Sequence, residues 1–266
     1  MKLSTSTIRR FAILGMAAAA ISLLSLSAFA QGQRGQRGGP PPTPQSIAPF
    51  DMTGYWVSVV VEDWRWRMTT PPKGDYAGVP LNPQGIQLTK DWDPAKDEAA
   101  NLQCKSYGAA NIMHVPGRLY ITWQDDQTLK IETDSGMQTR LFHFNGAEGP
   151  GGDWQGISKA EWELTAPGGF SFAPLTPRGG PGSTGSLKVM TTKLKAGYLR
   201  KNGVPYSDKA VVTEYYDLIN DPHGMYLVLT QTVEDPTYLT QLFPTTVHFR
   251  KQADATGWKP AFCVPR

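Results

Sequence analysis

Three groups of residues in this sequence have types and spacing suited to chemistry. The first is Trp64-Arg65-Trp66-Arg67. In a strand the two indoles share one face and the two guanidiniums the other. Two readings follow. Either the indoles pack into a core with the arginines in solvent, or the arginines point into a closed sheet and fix an anionic group on an otherwise apolar ligand. The second group is Tyr198-Leu199-Arg200-Lys201-Asn202-Gly203-Val204-Pro205-Tyr206-Ser207. Its KNGVPYS portion reads as a turn joining two strands, either as plain turn chemistry or as a rim presenting Tyr198, Arg200 and Tyr206 to a ligand. The third is Arg140 and His143, which lie three apart and so face opposite sides of a strand; Gln138 goes with Arg140, and Leu141 with His143.

The remaining titratable residues form no signature. The four histidines, His114, His143, His223 and His248, make no HxH, HExxH or HxxxH pattern, so neither a metal site nor a cofactor is implied. A structural role suits each of them, with His143 or His114 as a general base the alternative. His223 sits in Asp221-Pro222-His223-Gly224 and reads as a turn residue. Glu132, Glu161, Glu163, Glu214, Glu234 and Asp235 lie near apolar positions, where two carboxylates across a pocket would suit acid–base work, but the sequence selects no pair. No GxSxG, SxxK or Walker loop occurs. Residues 180–185 match GxGxxG, but a strand follows where a phosphate-binding helix would have to begin.

Residues 1–30 have the form of a signal peptide. Lys2, Arg9 and Arg10 precede an apolar stretch from Phe11 to Leu26, and Ala28-Phe29-Ala30 supplies an A-x-A cleavage site. The apolar stretch is short and no stop-transfer pattern follows it, so no integral span is expected in the mature protein. The location implied is periplasmic or secreted, by Sec export more than by the twin-arginine route. Of 26 Lys and Arg, three fall in that segment, which leaves 23 against 23 Asp and Glu. Such a balance argues against a nucleic-acid partner. Cys104 and Cys263 are the only cysteines. In an oxidising compartment an isolated pair is most simply a disulfide, closing a loop long enough to contribute roughly 4–5 kcal/mol in the chain-entropy view. A redox pair would want CxxC spacing.

The elements that must position these residues are mostly strands. Residues 31–48, rich in Gly, Gln, Arg and Pro, read as a flexible tether, and 49–266 as one domain. Candidate strands cover 53–62 (continuing, after a break, into the WRWRM run), 118–124, 128–134, 137–144, 154–164, 186–194, 210–218, 225–233 and 240–251. Residues 84–103 support one or two short helices interrupted at Pro94. Residues 166–185 form a long Gly/Pro-rich loop, either a lid, given Phe170 and Phe172, or an insertion. Serial strands joined by short turns predict an antiparallel meander, and closing it into a barrel removes its edges.

The stretches DMTGYWVSVV, CKSYGAANIMHVPGRLYITW, TRLFHFNG, WQGISKAEWE, YLRKNGVPYS, VVTEYYDL and VEDPTYLTQLFPTTVHFRK together resemble an uncharacterised family of secreted bacterial proteins with a lipocalin-like β-barrel. Gly54-Tyr55-Trp56 is similar to the G-x-W near the start of lipocalins. The resemblance implies a calycin-type barrel and brings no catalytic residue. Eight Trp, ten Tyr and ten Phe suit an aromatic-lined interior. The expected function is therefore binding of a small apolar or aromatic molecule in the barrel cavity. Trp64, Arg65, Trp66, Arg67, Arg140, His143, Tyr198, Arg200 and Tyr206 are the candidate contacts. The alternatives are a cofactor-free lyase, isomerase or hydrolase on the same barrel, or an envelope or carbohydrate-contacting module with an open aromatic face.

Overall fold

A ring of nine strands cannot alternate in direction all the way round, and this protein shows how the chain resolves that constraint. The computed structural model describes residues 41–146, 151–165 and 184–264. Among the described residues eleven strands are formed: β1 (Gly54–Val59), β2 (Arg118–Asp125), β3 (Thr128–Thr133), β4 (Thr139–His143), β5 (Ile157–Thr165), β6 (Thr184–Thr192), β7 (Gly197–Arg200), β8 (Val204–Tyr206), β9 (Val211–Asp221), β10 (Gly224–Glu234) and β11 (Phe243–Lys251). Nine close into a barrel in the order β1-β11-β10-β9-β6-β5-β4-β3-β2, while β7 and β8 form a separate hairpin. Every barrel pair is antiparallel except β4 and β5, which run parallel with Phe142 opposite Ser158. An odd ring needs at least one such pair. The meander expected from sequence is thus a closed, mainly β barrel with one parallel step, made by the crossover between His143 and Ile157.

Alternation sets the inner face. Leu119 and Ile121 on β2, Leu129 and Ile131 on β3, Leu187 and Val189 on β6, Leu227 and Leu229 on β10, and Val247 and Phe249 on β11 are all buried. They form one apolar cluster with Trp56, Phe142 and Tyr216. Trp56 is fully buried, donates its indole N–H to the Met52 carbonyl at 2.9 Å, and lies under the Lys251 ammonium at 4.6 Å. The lumen is therefore filled by side chains along this core.

Short helices cluster outside the sheet. They are α1 (Trp64–Arg67), α2 (Pro83–Asp91) and α3 (Pro94–Ala99), followed by 3₁₀ turns at Gln103–Tyr107 and Ile112–His114. Asn82 and Asp93 accept hydrogen bonds from the Gly85 and Ala95 amides, and a proline follows each cap at the first helical position. Pro94 thus starts a second helix, as its interruption of 84–103 suggests. Residues 64–67 depart from expectation. The sheet pairing of β1 ends at Val59, Asp63 takes a left-handed φ of 50°, and one helical turn replaces the strand. Arg65 and Arg67 therefore do not share a strand face.

The two cysteines form a disulfide, Cys104–Cys263. Among the described residues no helix is long and apolar enough to cross a membrane. The proposed signal segment 1–30, residues 31–40 of the tether, and residues 166–183 of the long loop lie outside the described residues. Residues from Pro42 onward belong to one compact unit. The Pro44 carbonyl accepts from the Trp162 indole on β5 at 2.9 Å.

Candidate functional site

The 3₁₀ segment from Gln103 to Val115 covers one end of the barrel, and the candidate site opens beside it. Below that cover lies a polar layer of the lumen. Arg140 on β4 and Glu214 on β9 are fully buried and paired by two bonds, Nη1 to Oε1 at 2.7 Å and Nη2 to Oε2 at 2.6 Å. Thr191 Oγ1 accepts from the same Nη2 at 3.2 Å, and Tyr216 donates its hydroxyl to Glu214 at 3.0 Å. Burial disfavours the Arg140 charge, but Glu214 outweighs it and holds the guanidinium above its ordinary pKa. Burial, then Glu214, pushes the Tyr216 phenol well up.

From Glu214 the strand register leads outward. Gln231 lies opposite Glu214 and also opposite Thr245. Gln231 donates to the Ala110 carbonyl at 2.9 Å, so the covering segment is fastened to this layer. His114 Nε2 lies 2.8 Å from Thr245 Oγ1. His114 and Thr245 both line a cleft, together with Asp63, Trp66 and Arg67 from the α1 region, Asn111 and Val115 from the cover, Leu199, Arg200 and Lys201 from the β7–β8 hairpin, and Phe243. Its enclosed space is about 40 Å³, enough for about three waters or one carboxylate-sized group.

Arg67 is buried in the wall. Its Nε donates to the His114 carbonyl at 2.9 Å, and its Nη1 to Glu62 at 2.8 Å. Glu62 also accepts from the His248 amide at 3.2 Å, so this carboxylate is shared between two elements. Among the described residues Arg67 Nη2 has no partner, and neither have Trp66 Nε1 and His114 Nδ1, although all three atoms are buried. Arg200 lies over the Trp66 ring at 4.3 Å and donates to the Ala77 carbonyl at 2.8 Å. Burial lowers the pKa of both arginines. Burial, then Arg67 and Arg200, pushes His114 down to about 3. The imidazole is therefore neutral near pH 7. If its Nε2 accepts from Thr245, its Nδ1 carries the hydrogen, and the cleft walls hold three unused N–H donors.

A second cavity of about 290 Å³ lies between α2, α3 and the β7–β8 hairpin. Tyr198 and Tyr206 line it. Its polar groups largely satisfy one another: Asp97 accepts from Tyr198 at 2.7 Å and from Lys105 and Trp92 at 3.2 Å each. Burial, then Asp97, raises the Tyr198 pKa, so this phenol keeps its proton. The hairpin turn needs Gly203, at φ 83°, because a Cβ there would overlap the Trp92 ring.

Of the residues singled out from sequence, Trp66, Arg67 and Arg200 meet at the cleft. Trp64 is 64% exposed and lies outside it. Arg65 points to solvent and pairs with Asp75 at 3.2 Å, though its guanidinium also lies 5.5 Å from the Trp66 ring. Arg140 is sealed in the lumen. His143 is half-buried on the other face of β4, as its spacing from Arg140 requires. His114, for which the sequence suggests a structural role or that of a base, lines the cleft as well. Lys201 lay inside the YLRKNGVPYS run without being selected, and nothing in the sequence marks Thr245. Among the described residues no group of three or more His, Cys, Asp or Glu is placed to hold a metal. Tyr55 and Tyr120 stack on each other at 4.3 Å, with Trp258 edge-on, so these outward aromatics largely cover one another.

No family model, no curated protein and no solved structure matches the chain.

Proposed function

We propose that this protein binds a small molecule carrying a carboxylate or similar oxyanion, with the anionic group held in the cleft at the covered end of the barrel. The observation that carries this reading is the set of three buried, unpartnered polar atoms on Trp66, Arg67 and His114, beside the cations of Arg200 and Lys201. An unsatisfied buried donor costs about 1–3 kcal/mol, so three in one wall call for an acceptor that enters the cleft. Because the lumen is packed, the ligand sits at the barrel end and not within its core. An aromatic or apolar body on the ligand would meet Leu199, Phe243 and the Trp66 ring.

An enzymatic reading has less support at this position. Of the two bases lining the cleft, His114 has a pKa near 3, which makes it a weak one, and the other is the single carboxylate of Asp63, with no second carboxylate in the lining to work with it. The Cys104–Cys263 disulfide and the leader-like start of the sequence support export to the periplasm or beyond. We place the chain, on its resemblance, with secreted lipocalin-like barrels.

Calorimetric titration with benzoate tests the site. The double variant Arg200→Gln/Lys201→Gln should weaken binding about tenfold or more. Binding by the wild type with equal affinity in the double variant would move the ligand elsewhere.

A further inference from the structure

The cleft does not end at its anion-binding wall. Arg67, Val115, Pro116 and Lys201 also line a neighbouring groove of about 290 Å³. Its other walls are mostly apolar: Met68, Tyr107, Phe262 and Val264 with Gly136 and Ala261, and Ser135 as the polar member. Three of these are unusually exposed for their type, Met68 at 60%, Phe262 at 67% and Val264 at 47%. Apolar side chains grouped in this way beside a cationic corner suit an amphipathic ligand. Lys201 stands at the junction, its ammonium 5.0 Å from the Tyr107 ring.

The outer wall is a strap laid across the barrel end. Ala261 makes a parallel bridge with Ser135, its amide donates to the Asp134 carbonyl at 2.8 Å, and its carbonyl accepts from Gly136 at 2.8 Å. The Val264 amide donates to the Tyr107 hydroxyl at 3.2 Å, and Cys263 between them is tied to Cys104. The disulfide thus fixes the residues that present Phe262 and Val264.

We infer that cleft and groove form one site for a small amphipathic acid, its carboxylate at Arg67 and its hydrocarbon chain lying along Met68, Tyr107 and the disulfide-held strap. This inference rests on the anion-site reading above and adds the chain and its wall. The anion supplies an acceptor for cleft-wall donors that have none among the described residues, and the chain covers the apolar side chains of Met68, Phe262 and Val264.

Calorimetry with butyrate and octanoate separates the two claims. Octanoate should bind about tenfold or more tighter than butyrate, because its extra methylenes are taken out of water. That ratio should shrink toward one in Met68→Ser and in Phe262→Ser, and also in reduced protein that keeps its near-ultraviolet circular dichroism. Both substitutions fall on exposed side chains, so folding is not at stake. Equal affinity for the two acids would overturn the groove and leave the anion site standing. A preference for octanoate unmoved by the variants and by reduction would also overturn it, since the chain would then lie elsewhere. Binding of neither acid would remove the anion site itself, and the groove with it.

Discussion

Two arginines lie in the same end of this barrel and were equally prominent in the sequence, yet their surroundings differ in kind. Arg140 faces a carboxylate that grips it by two bonds, with Thr191 adding a third, and only its Nε is left over. Arg67 has one carboxylate shared with His248 and two carbonyls, those of His114 at 2.9 Å and Glu62 at 3.5 Å, and its Nη2 has no partner among the described residues. The first arrangement is closed and leaves no place for a ligand. The second also leaves one buried nitrogen over, but at the wall of a cleft, where the anion we propose would meet it. Burial, charge and a leftover donor do not by themselves distinguish a structural ion pair from a binding residue. What separates these two is where the leftover donor lies: that of Arg140 is sealed in the lumen, whereas Arg67 lines the cleft.

The largest effect should come from opening the closed region. Glu214→Gln leaves the Arg140 charge buried without a counter-charge, and should cost about 3–5 kcal/mol in urea unfolding. Arg140→Met/Glu214→Leu should recover most of that loss, since an apolar pair does without both desolvated charges. A double variant no better than the single would mean that the pair contributes more than mutual neutralisation. Next in size is the disulfide. It closes a sequence separation of 159 residues, and reduction should cost about 2–4 kcal/mol, read as a lower melting temperature. An unchanged melting temperature would show that the strap is held by Ala261 and its hydrogen bonds alone.

Acid should act on the open region. The His114 pKa lies near 3 in the folded protein, against an ordinary 6.5. Below pH 6.5 the unfolded chain takes up a proton that the folded protein refuses. The stability present above that pH is therefore lost as pH falls from 6.5 toward 3, the loss reaching about 3 kcal/mol by pH 4. His114→Asn removes the titrating group, so its stability should fall less over the same range. Parallel pH profiles for the two proteins would place the acid sensitivity elsewhere, and would take the burial of His114 out of the contrast.

The strand order was legible from the chain because alternation and turn residues are local signals. Val247 and Phe249 against His248 and Arg250 name the inner face of β11, and Asp221-Pro222-His223-Gly224 names the turn before β10. The parallel step between β4 and β5 was not legible, since it follows from closing an odd number of strands and no residue encodes it. The helical turn at 64–67 was missed for a related reason. Trp-Arg alternation looks like a strand until the left-handed Asp63 takes the chain off the sheet. The site was legible in its parts: Trp66, Arg67 and Arg200 were all singled out. Their meeting was not, because α1 and the β7–β8 hairpin are more than a hundred residues apart. The choice between Arg67 and Arg140 depended on partners, Glu62 and Glu214, that no spacing rule connects to them.

The smallest expected effect on stability is the sharpest test of the contrast. Trp66→Phe keeps a six-membered ring beneath Arg200 and removes the indole N–H that has no partner among the described residues, together with the small ring that carries it. If that donor is idle in the free protein, stability should change by no more than about 0.5 kcal/mol, and it should tend upward as an unsatisfied group disappears. Benzoate affinity should fall by about tenfold or more, the worth of one hydrogen bond to a charged acceptor after solvent competition. The corresponding change in the closed region, Tyr216→Phe, removes a hydroxyl that Glu214 uses. It should do the reverse, lowering stability by about 1–2 kcal/mol and leaving benzoate affinity as it was. A Trp66→Phe variant that loses stability and keeps its affinity would show that the indole N–H is bonded within the folded protein, and the distinction between used and unused donors would fail at the residue where it is cleanest.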